Sequence, residues 1–162
     1  MTTIYLLGPC HKINRKTGCV HPAFDEAARS GRYLRNAVGV ANRGNVRIVY
    51  SNILSGAWTD ASGQEQLPNL ASLVRALPEH PLWVDADVVI GLGGLVRQAL
   101  EGMQSTPRSR QPQLVFLAHP SFILRRPAEE RLSFETGLRS AIIGATKKSD
   151  PMVRSVAIEL TA

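Results

Sequence analysis

The sequence has no apolar run long enough to cross a membrane, and no basic segment precedes its first apolar stretch. A membrane-spanning helix needs about 20 consecutive apolar residues, and the longest runs here are far shorter. A secretory signal peptide needs a positively charged start before its apolar core, whereas residues 1–8 carry no basic side chain. We therefore interpret this stretch as a first strand, and we expect a cytoplasmic protein that makes no use of a membrane.

Cysteine is almost absent. Only Cys10 and Cys19 occur in 162 residues. Two thiols cannot hold a four-cysteine iron–sulfur cluster, and a disulfide framework is not expected in the cytoplasm. A zinc site made from both cysteines with His11 and His21 has suitable residue types, but its spacing matches no standard zinc pattern. We therefore expect neither a metal ion nor a cofactor.

Acidic side chains are outnumbered by basic ones, 13 to 19, which leaves a net charge of +6. Residues 1–47 carry eight basic and two acidic side chains, residues 48–104 carry two and six, and residues 105–162 carry nine and five. The basic excess thus belongs to the two end segments. This distribution favours a polyanionic partner, although a generic basic surface would produce the same totals.

Short apolar runs alternate with helical patterns along the chain. The length suits one domain with a substantial core, which we assign to residues 1–162. Four runs predict buried strands at residues 4–7, 46–50, 87–90 and 114–117. Helical patterns cover residues 25 to 39 or 44, 68–77, 95–103 and 128–143, and residues 153–160 suggest a final strand. The alternation predicts an α/β fold, a three-layer αβα sandwich with a mainly parallel central sheet of about four strands.

The glycines of residues 91–94, Gly-Leu-Gly-Gly, follow the third predicted strand. They lack the third glycine of the dinucleotide-binding fingerprint, and no acidic residue follows at the required distance. Close packing of strand against helix is the physical use that remains for them.

The loop after the fourth predicted strand combines chemically useful side chains. His119 and Ser121 leave the strand end, and Leu124, Arg125 and Arg126 follow on the same loop. Ligands of open α/β sheets bind at the carboxyl ends of the strands. A titratable group, an apolar wedge and two phosphate-seeking cations suggest chemistry on a nucleic acid. A structural histidine beside two solvated arginines is the alternative.

The order of the motifs resembles that of the uracil-DNA glycosylase superfamily over roughly residues 4–139. Three loops are expected at one sheet edge, at residues 8–24, 51–52 and 119–126. The motifs that support the resemblance are Gly8-Pro9, a loop with an aromatic residue, Ser30-Gly31 opening a helix, a strand that ends in Asn52, residues 86–93 before a Leu-Gly turn, and His119-Pro120-Ser121.

Within that superfamily, residues 8–18 are most similar to the broad-specificity type-B branch. Lys16 interrupts its Asn-Arg-Thr-Gly element, and Asp25-Glu26 precedes Ser30-Gly31 at a looser spacing. The iron–sulfur cysteines of that branch are missing. Classical active members also place an acid or Asn directly after the first glycine motif, where this chain has Pro9, Cys10 and His11.

The resemblance implies a DNA glycosylase that flips uracil or a related modified or deaminated base out of DNA and hydrolyses its N-glycosidic bond. His119 would donate a hydrogen bond to the oxygen of the leaving base. Asp25, or as second choice Glu26, would orient the attacking water or stabilise a cationic sugar. The alternative is that both acids only complement the macrodipole at a helix N-terminus.

The remaining roles divide between base and DNA backbone. Asn52 offers a donor and an acceptor to a base edge, and Phe24 offers a stacking face, although Phe24 as core and Asn52 as a turn former are serious alternatives. The pocket around the base would be completed by Gly8, Pro9, Cys10 and His11. DNA contacts are expected from Ser121, Leu124, Arg125, Arg126, Arg15 and Lys16.

We expect a monomer that binds single- or double-stranded DNA. Two other functions fit the same residues. A superfamily member without catalysis could bind DNA or an unusual base, which the missing first-motif acid favours. A hydrolase or transferase could act on a free nucleoside or nucleotide, although the surplus arginine argues against it. The preferred base is not determined by these residues.

Overall fold

A four-stranded parallel sheet forms the middle layer of the protein, for which the computed structural model describes residues 1–42, 44 and 46–148. The strands are β1 (Thr2–Gly8), β2 (Val46–Asn52), β3 (Val88–Leu92) and β4 (Gln113–Leu117). Their order across the sheet is β2-β1-β3-β4, and every neighbouring pair is parallel.

Six helices connect or follow these strands within the described residues. They are α1 (Arg29–Ala41), α2 (Leu70–Ala76), α3 (Leu82–Asp85), α4 (Gly94–Met103), α5 (Pro120–Ile123) and α6 (Ala128–Lys148). A 3-10 turn, Leu77–Glu79, lies between α2 and α3. None of the helices in the described ranges has the length and apolar character that crossing a bilayer requires.

The helices cover both faces of the sheet, so that β1 is buried on both sides. Successive side chains of a strand point to opposite sides. Ile4 and Leu6 lie in a core with α1, α5 and α6, whereas Tyr5 and Leu7 lie in a second core with α2, α3 and α4. A strand buried on both sides needs a continuous apolar run rather than an alternating one. The predicted three-layer αβα sandwich is therefore confirmed.

The predicted start of the first helix was wrong by four residues. Asp25 and Glu26 do not begin α1, whose first residue is Arg29 and whose first turn contains no acid. Phe24 has a φ of 50°, which a right-handed helix does not allow, and the backbone N–H of Ala28 closes a turn on the carbonyl of Asp25 at 3.0 Å. The proposed macrodipole role of these acids in the first turn of α1 is thereby excluded.

Other boundaries moved less. Helix α1 ends at Ala41, between the two glycines that were expected to stop it. The four-residue helices α3 and α5 were not predicted, because so short a segment shows no helical period. The suggested strand at residues 153–160 lies outside the described residues.

The sheet order determines where a ligand can bind. The chain leaves β1 for β2 through α1 on one face, and it leaves β3 for β4 through α4 on the other face. Connections that depart in opposite directions open a crevice between the carboxyl ends of β1 and β3. All three motif-bearing loops start at this edge.

Candidate functional site

A cavity of about 340 Å³ lies at the carboxyl edge of the sheet. Each of the four strand ends contributes to its wall: Cys10 follows β1, Asn52 ends β2, Gly93 follows β3 and His119 lies beyond β4. Parallel strands whose ends meet at one edge therefore bring together residues that are more than a hundred positions apart in the sequence.

The His119 side chain is held as a neutral imidazole. It caps helix α5, and its Nδ1 accepts a hydrogen bond from the backbone N–H of Ser121 at 3.2 Å, with Ser121 Oγ 2.8 Å away. Burial, and secondarily the positive charge of Lys12, lower the pKa of His119 to about 4. Because Nδ1 accepts from an N–H group, the ring proton is on Nε2.

The proton on Nε2 of His119 is free for a ligand. No group among the described residues forms a hydrogen bond with this nitrogen, whereas both bonds to the ring involve Nδ1. A preorganised N–H donor in a cavity can stabilise negative charge that develops on a ligand oxygen.

Phe24 forms an aromatic side of the cavity in a backbone conformation that is uncommon for its residue type. Its ring centroid lies 6.0 Å from that of His119 and 6.4 Å from that of Tyr50. Its φ of 50° is costly for a bulky residue. Arg35 supports this conformation, because its guanidinium donates to the carbonyls of Phe24 and Ala23 at 2.5 and 3.2 Å and lies over the Tyr50 ring.

The Phe24 side chain is only 9 % exposed and belongs to the first core as well as to the cavity wall. The core and stacking interpretations of this residue are therefore compatible.

Asn52 presents an unpaired side-chain amide to the cavity. The residue is 8 % exposed, and its amide forms no hydrogen bond within the described part of the chain, although its backbone carbonyl does. Gly8 lies beside it in the β1–β2 register. A Cβ atom on Gly8 would overlap with Oδ1 of Asn52 and lie 2.9 Å from Cζ of Phe24. Glycine at position 8 therefore allows both side chains to approach.

His80 supports the backbone of Asn52 from the other side of the strand. The Nδ1 atom of His80 accepts from the N–H of Leu82 at 3.1 Å, so the proton is on Nε2, which lies 3.1 Å from both the carbonyl oxygen of Asn52 and Oγ of Ser51. Burial lowers the pKa of His80. A neutral, buried histidine thus holds the end of β2 in place.

Asp25 lines the cavity, whereas Glu26 does not. The Oδ2 atom of Asp25 accepts a hydrogen bond from Nδ1 of His21 at 2.6 Å, and its Oδ1 accepts from the N–H of Ala27 at 3.0 Å. The bond from His21 is the largest cause that holds the pKa of Asp25 below its usual value. A Cβ atom on Gly31 would overlap with the backbone of Phe24 and Asp25, so the Ser30-Gly31 motif lets α1 approach this turn.

The loop after β1 contains a small hairpin. Ile13 and Val20 form an antiparallel bridge, and Arg15 and Lys16 lie exposed at the tip between them. Cys10 is buried at the hairpin base, and burial raises the pKa of its thiol. Both tip residues lie outside the cavity wall and form no ion pair with any described residue.

No potential metal site is formed by these residues. Cys10 is buried and Cys19 is exposed, and both are free thiols. The Nδ1 atom of His11 donates to the carbonyl of His21 at 2.7 Å. Within residues 1–42, 44 and 46–148, no three His, Cys, Asp or Glu side chains are grouped to hold a metal ion.

The two arginines after His119 differ in their partners. Arg125 lines the cavity, and its Nε donates to the carbonyl of Ser121 at 3.2 Å. Arg126 forms two hydrogen bonds of 2.8 Å with the carboxylate of Glu130. Leu124 is half-buried, whereas the neighbouring Phe122 is 47 % exposed. Arg125 is thus the arginine whose charge is not paired with a carboxylate among the described residues.

Sequence reasoning missed several residues of the wall. Lys12, His21, Leu67 and Gly93 line the cavity as well. His21 could have been noticed, because it precedes the candidate acid Asp25 by four residues. Nothing in the sequence indicated that Leu67, from the loop before α2, would line the cavity at the carboxyl end of β1.

No family model matches the chain, and no curated protein sequence matches it.

Proposed function

We propose that this protein is a monofunctional DNA glycosylase that removes uracil or a related modified or deaminated base without a metal ion or cofactor. The observation that supports this function is one cavity that combines a neutral His119, an Asn52 amide with no hydrogen-bond partner among the described residues, and an ionised Asp25 beside the Phe24 ring. His119 would stabilise the leaving base, and Asn52 would recognise its edge. Asp25 would lie on the side from which water attacks, and the Phe24 ring would stack on the base. The resemblance to the uracil-DNA glycosylase superfamily in motif order supports the same function.

The reaction follows from these groups. A base that has left the duplex stacks on Phe24, and the amide of Asn52 pairs with a donor and an acceptor on its edge. As the N-glycosidic bond breaks, its electron pair passes to the base, and negative charge grows on a base oxygen. A hydrogen bond from Nε2–H of His119 to this oxygen strengthens as the charge develops. Water attacks C1′ of the sugar on the side of Asp25.

The DNA backbone would be held around the cavity mouth. Arg125 is suited to a phosphate, because it pairs with no carboxylate of the described residues and borders the cavity. Arg15 and Lys16 at the hairpin tip and Arg126 are further candidates, and Leu124 or its exposed neighbour Phe122 would fill the vacated stack. We propose that a single copy of the chain suffices, since every one of these groups comes from one chain.

The test is an abasic-site assay. End-labelled oligonucleotides that contain uracil, hypoxanthine, xanthine or hydroxymethyluracil are incubated with protein and then treated with hot alkali, in single- and double-stranded form. We expect strand cleavage at the modified base for at least one substrate. His119→Ala should lower the single-turnover rate by about 10²- to 10³-fold and leave DNA affinity nearly unchanged, because the hydrogen bond that it removes belongs to the transition state.

Other results would select other functions. Salt-dependent DNA binding without any abasic product would indicate a member that recognises a base without catalysis. Release of base from a free nucleoside, with no affinity for DNA, would indicate a nucleoside hydrolase. Equal activity of wild type and His119→Ala would remove this histidine from the mechanism.

A further inference from the structure

His21 and Asp25 form a hydrogen-bonded pair within the wall of the cavity. Nδ1 of His21 lies 2.6 Å from Oδ2 of Asp25, and the two side chains are 16 % and 24 % exposed. The bond from His21 and the N–H of Ala27 hold the pKa of Asp25 low, so the carboxylate is ionised and can only accept. The proton in this bond is therefore on Nδ1 of His21.

When the His21 ring is neutral, its other nitrogen, Nε2, has an open lone pair. In a neutral imidazole with its proton on Nδ1, Nε2 is an acceptor. No described residue forms a hydrogen bond with this Nε2, since the hydrogen bonds of His21 involve Nδ1 and its backbone groups. A second hydrogen bond fixes the loop, because Nδ1 of His11 donates to the carbonyl of His21 at 2.7 Å.

We propose that His21, oriented by Asp25, is the general base that deprotonates the attacking water. This inference rests on the proposed glycosylase function and adds a proton transfer by His21 to the water-orienting role that the sequence analysis expected of the carboxylate. Asp25 becomes a positioning residue, which selects the tautomer and stabilises the imidazolium that forms. An acid, a histidine and a reacting hydroxyl group in this order are the arrangement of the serine hydrolase triad.

The relative basicity of the two groups supports His21. A carboxylate is a weak proton acceptor at neutral pH. The two hydrogen bonds that Asp25 accepts stabilise its ionised form and make it a still weaker acceptor. An imidazole whose Nε2 has an open lone pair is the side chain that most often acts as a general base. The cavity would then use His21 to deprotonate the water and His119 to stabilise the leaving base.

The proposed step transfers one proton and breaks one glycosidic bond. One O–H bond of water breaks as its proton moves to Nε2 of His21, while the oxygen forms a bond with C1′ of the sugar. The C1′–N bond breaks, and its electron pair leaves with the base, whose oxygen accepts a hydrogen bond from His119. The products are the abasic sugar, the base anion and an imidazolium at His21, which returns its proton to the base or to solvent.

His21→Asn separates proton transfer from positioning. An Asn side-chain amide can donate to Asp25 from about where Nδ1 lies, but it has no basic nitrogen. We expect the single-turnover rate of His21→Asn to fall about 10²- to 10⁴-fold, with DNA affinity nearly unchanged. The single-turnover rate of the smaller variant His21→Ala should fall by as much. Added imidazole should then raise the rate of this variant by about tenfold or more. Imidazole should not accelerate the wild type or Asp25→Asn, in which the histidine remains.

Three outcomes separate this inference from the function on which it rests. If the wild type is active and His21→Asn retains its rate within a few-fold while Asp25→Asn loses it, the carboxylate is the base and only this inference is overturned. The inference is also overturned if the His21→Ala protein unfolds at the same temperature as the wild type but imidazole does not increase its rate. A wild type that releases no base from any of the four oligonucleotides overturns the proposed function and, with it, the role of His21.

Discussion

At the scale of single residues, protonation states determine what the cavity can do. His119 and His80 are both kept neutral by burial, and in each the Nδ1 atom accepts a backbone hydrogen bond. His21 has the opposite arrangement, because its Nδ1 faces a carboxylate. The same residue type can therefore provide a donor at one side of the cavity and an acceptor at the other.

The low pKa of His119 predicts a loss of stability in mild acid. Unfolding returns this pKa from about 4 to its ordinary value of 6.5. Between these values the unfolded chain binds the extra proton, so the free energy of unfolding falls as the pH falls from 6.5 to 4. At pH 4.5 we expect His119 to account for a loss of about 2–3 kcal/mol relative to pH 7. Urea unfolding at both pH values measures it.

His119→Asn is the matched control for this stability measurement. Asn can cap α5 as His119 does, but it does not titrate. The variant should lose less stability than the wild type between pH 7 and pH 4.5. An identical loss in both proteins would show that the acid sensitivity arises from other groups, such as His80.

Gly8→Ala tests the close approach of β1 to two site residues. A Cβ at this position would overlap with Asn52 and crowd Phe24. We expect a destabilisation of about 1–3 kcal/mol and a large loss of base release, because both side chains must move. Thermal unfolding and the abasic-site assay are the measurements.

Gly39→Ala provides the comparison for Gly8→Ala. Gly39 lies exposed on α1, and a Cβ there would meet no atom within 4 Å. This change should stabilise the protein by about 0.5–1 kcal/mol and leave base release unchanged. A Gly8→Ala variant that behaves like Gly39→Ala would contradict the packing of the β1 end.

At the scale of elements, the site is built from loops and caps that regular structure positions. Phe24 and Asp25 lie in the turn that precedes α1, and His119 caps the four-residue α5. Residues on such segments are held by a few specific bonds, here from Arg35, Ser121 and His21. The sheet supplies the rigid support, because Gly8 and Asn52 are the last residues of their strands.

The two arginines between β4 and α6, Arg125 and Arg126, are expected to contribute differently to DNA binding. Arg125→Ala should weaken DNA binding for all sequences and flatten the salt dependence of the association constant by about one unit for each phosphate that is no longer neutralised. Arg126→Ala should have a smaller effect, because Arg126 is already paired with Glu130. Fluorescence anisotropy titrations over a series of salt concentrations measure both.

Arg110→Ala is the charge-matched control for Arg125→Ala. Arg110 forms an ion pair with Asp87, next to the start of β3 and therefore at the opposite end of the sheet from the cavity. Its removal changes the net charge equally but should leave the salt slope as in the wild type. If Arg125→Ala and Arg110→Ala have the same effect, the loop after β4 does not contact DNA.

At the scale of the whole molecule, charge separates between the two helical layers. Helices α1, α5 and α6 on one face of the sheet carry seven basic and three acidic side chains, whereas α2, α3 and α4 on the other face carry two of each. The cavity opens at an edge that both layers share. A polyanion should therefore approach this edge from the layer of α1 and α6.

The uneven charge predicts salt-sensitive binding by the intact protein. If at least two phosphates are neutralised, affinity for an oligonucleotide should fall about tenfold or more between 50 and 200 mM salt. The same titration with a neutral nucleoside should show no such fall. Salt-independent binding of DNA would be inconsistent with a phosphate-contacting surface.

Local patterns in the sequence were sufficient for the fold class and for the edge at which the site lies. Buried strands were recognisable as apolar runs because parallel strands are covered on both faces, and their alternation with helices required a layered sheet. His119 could be singled out because it follows such a run, whereas the roles expected of Asn52, Phe24 and Asp25 came from the resemblance in motif order and stay predictions.

Only the tertiary structure decided which neighbours these residues have. The pairing of His21 with Asp25, the charge of Lys12 near His119 and the support of Asn52 by His80 depend on how loops pack, and packing leaves no period in a sequence. Protonation follows from the same contacts, since burial and hydrogen-bond partners determine a pKa. The sequence by itself therefore determined the framework and the edge at which the cavity lies, whereas three-dimensional contacts decided which nitrogen of each histidine carries the proton.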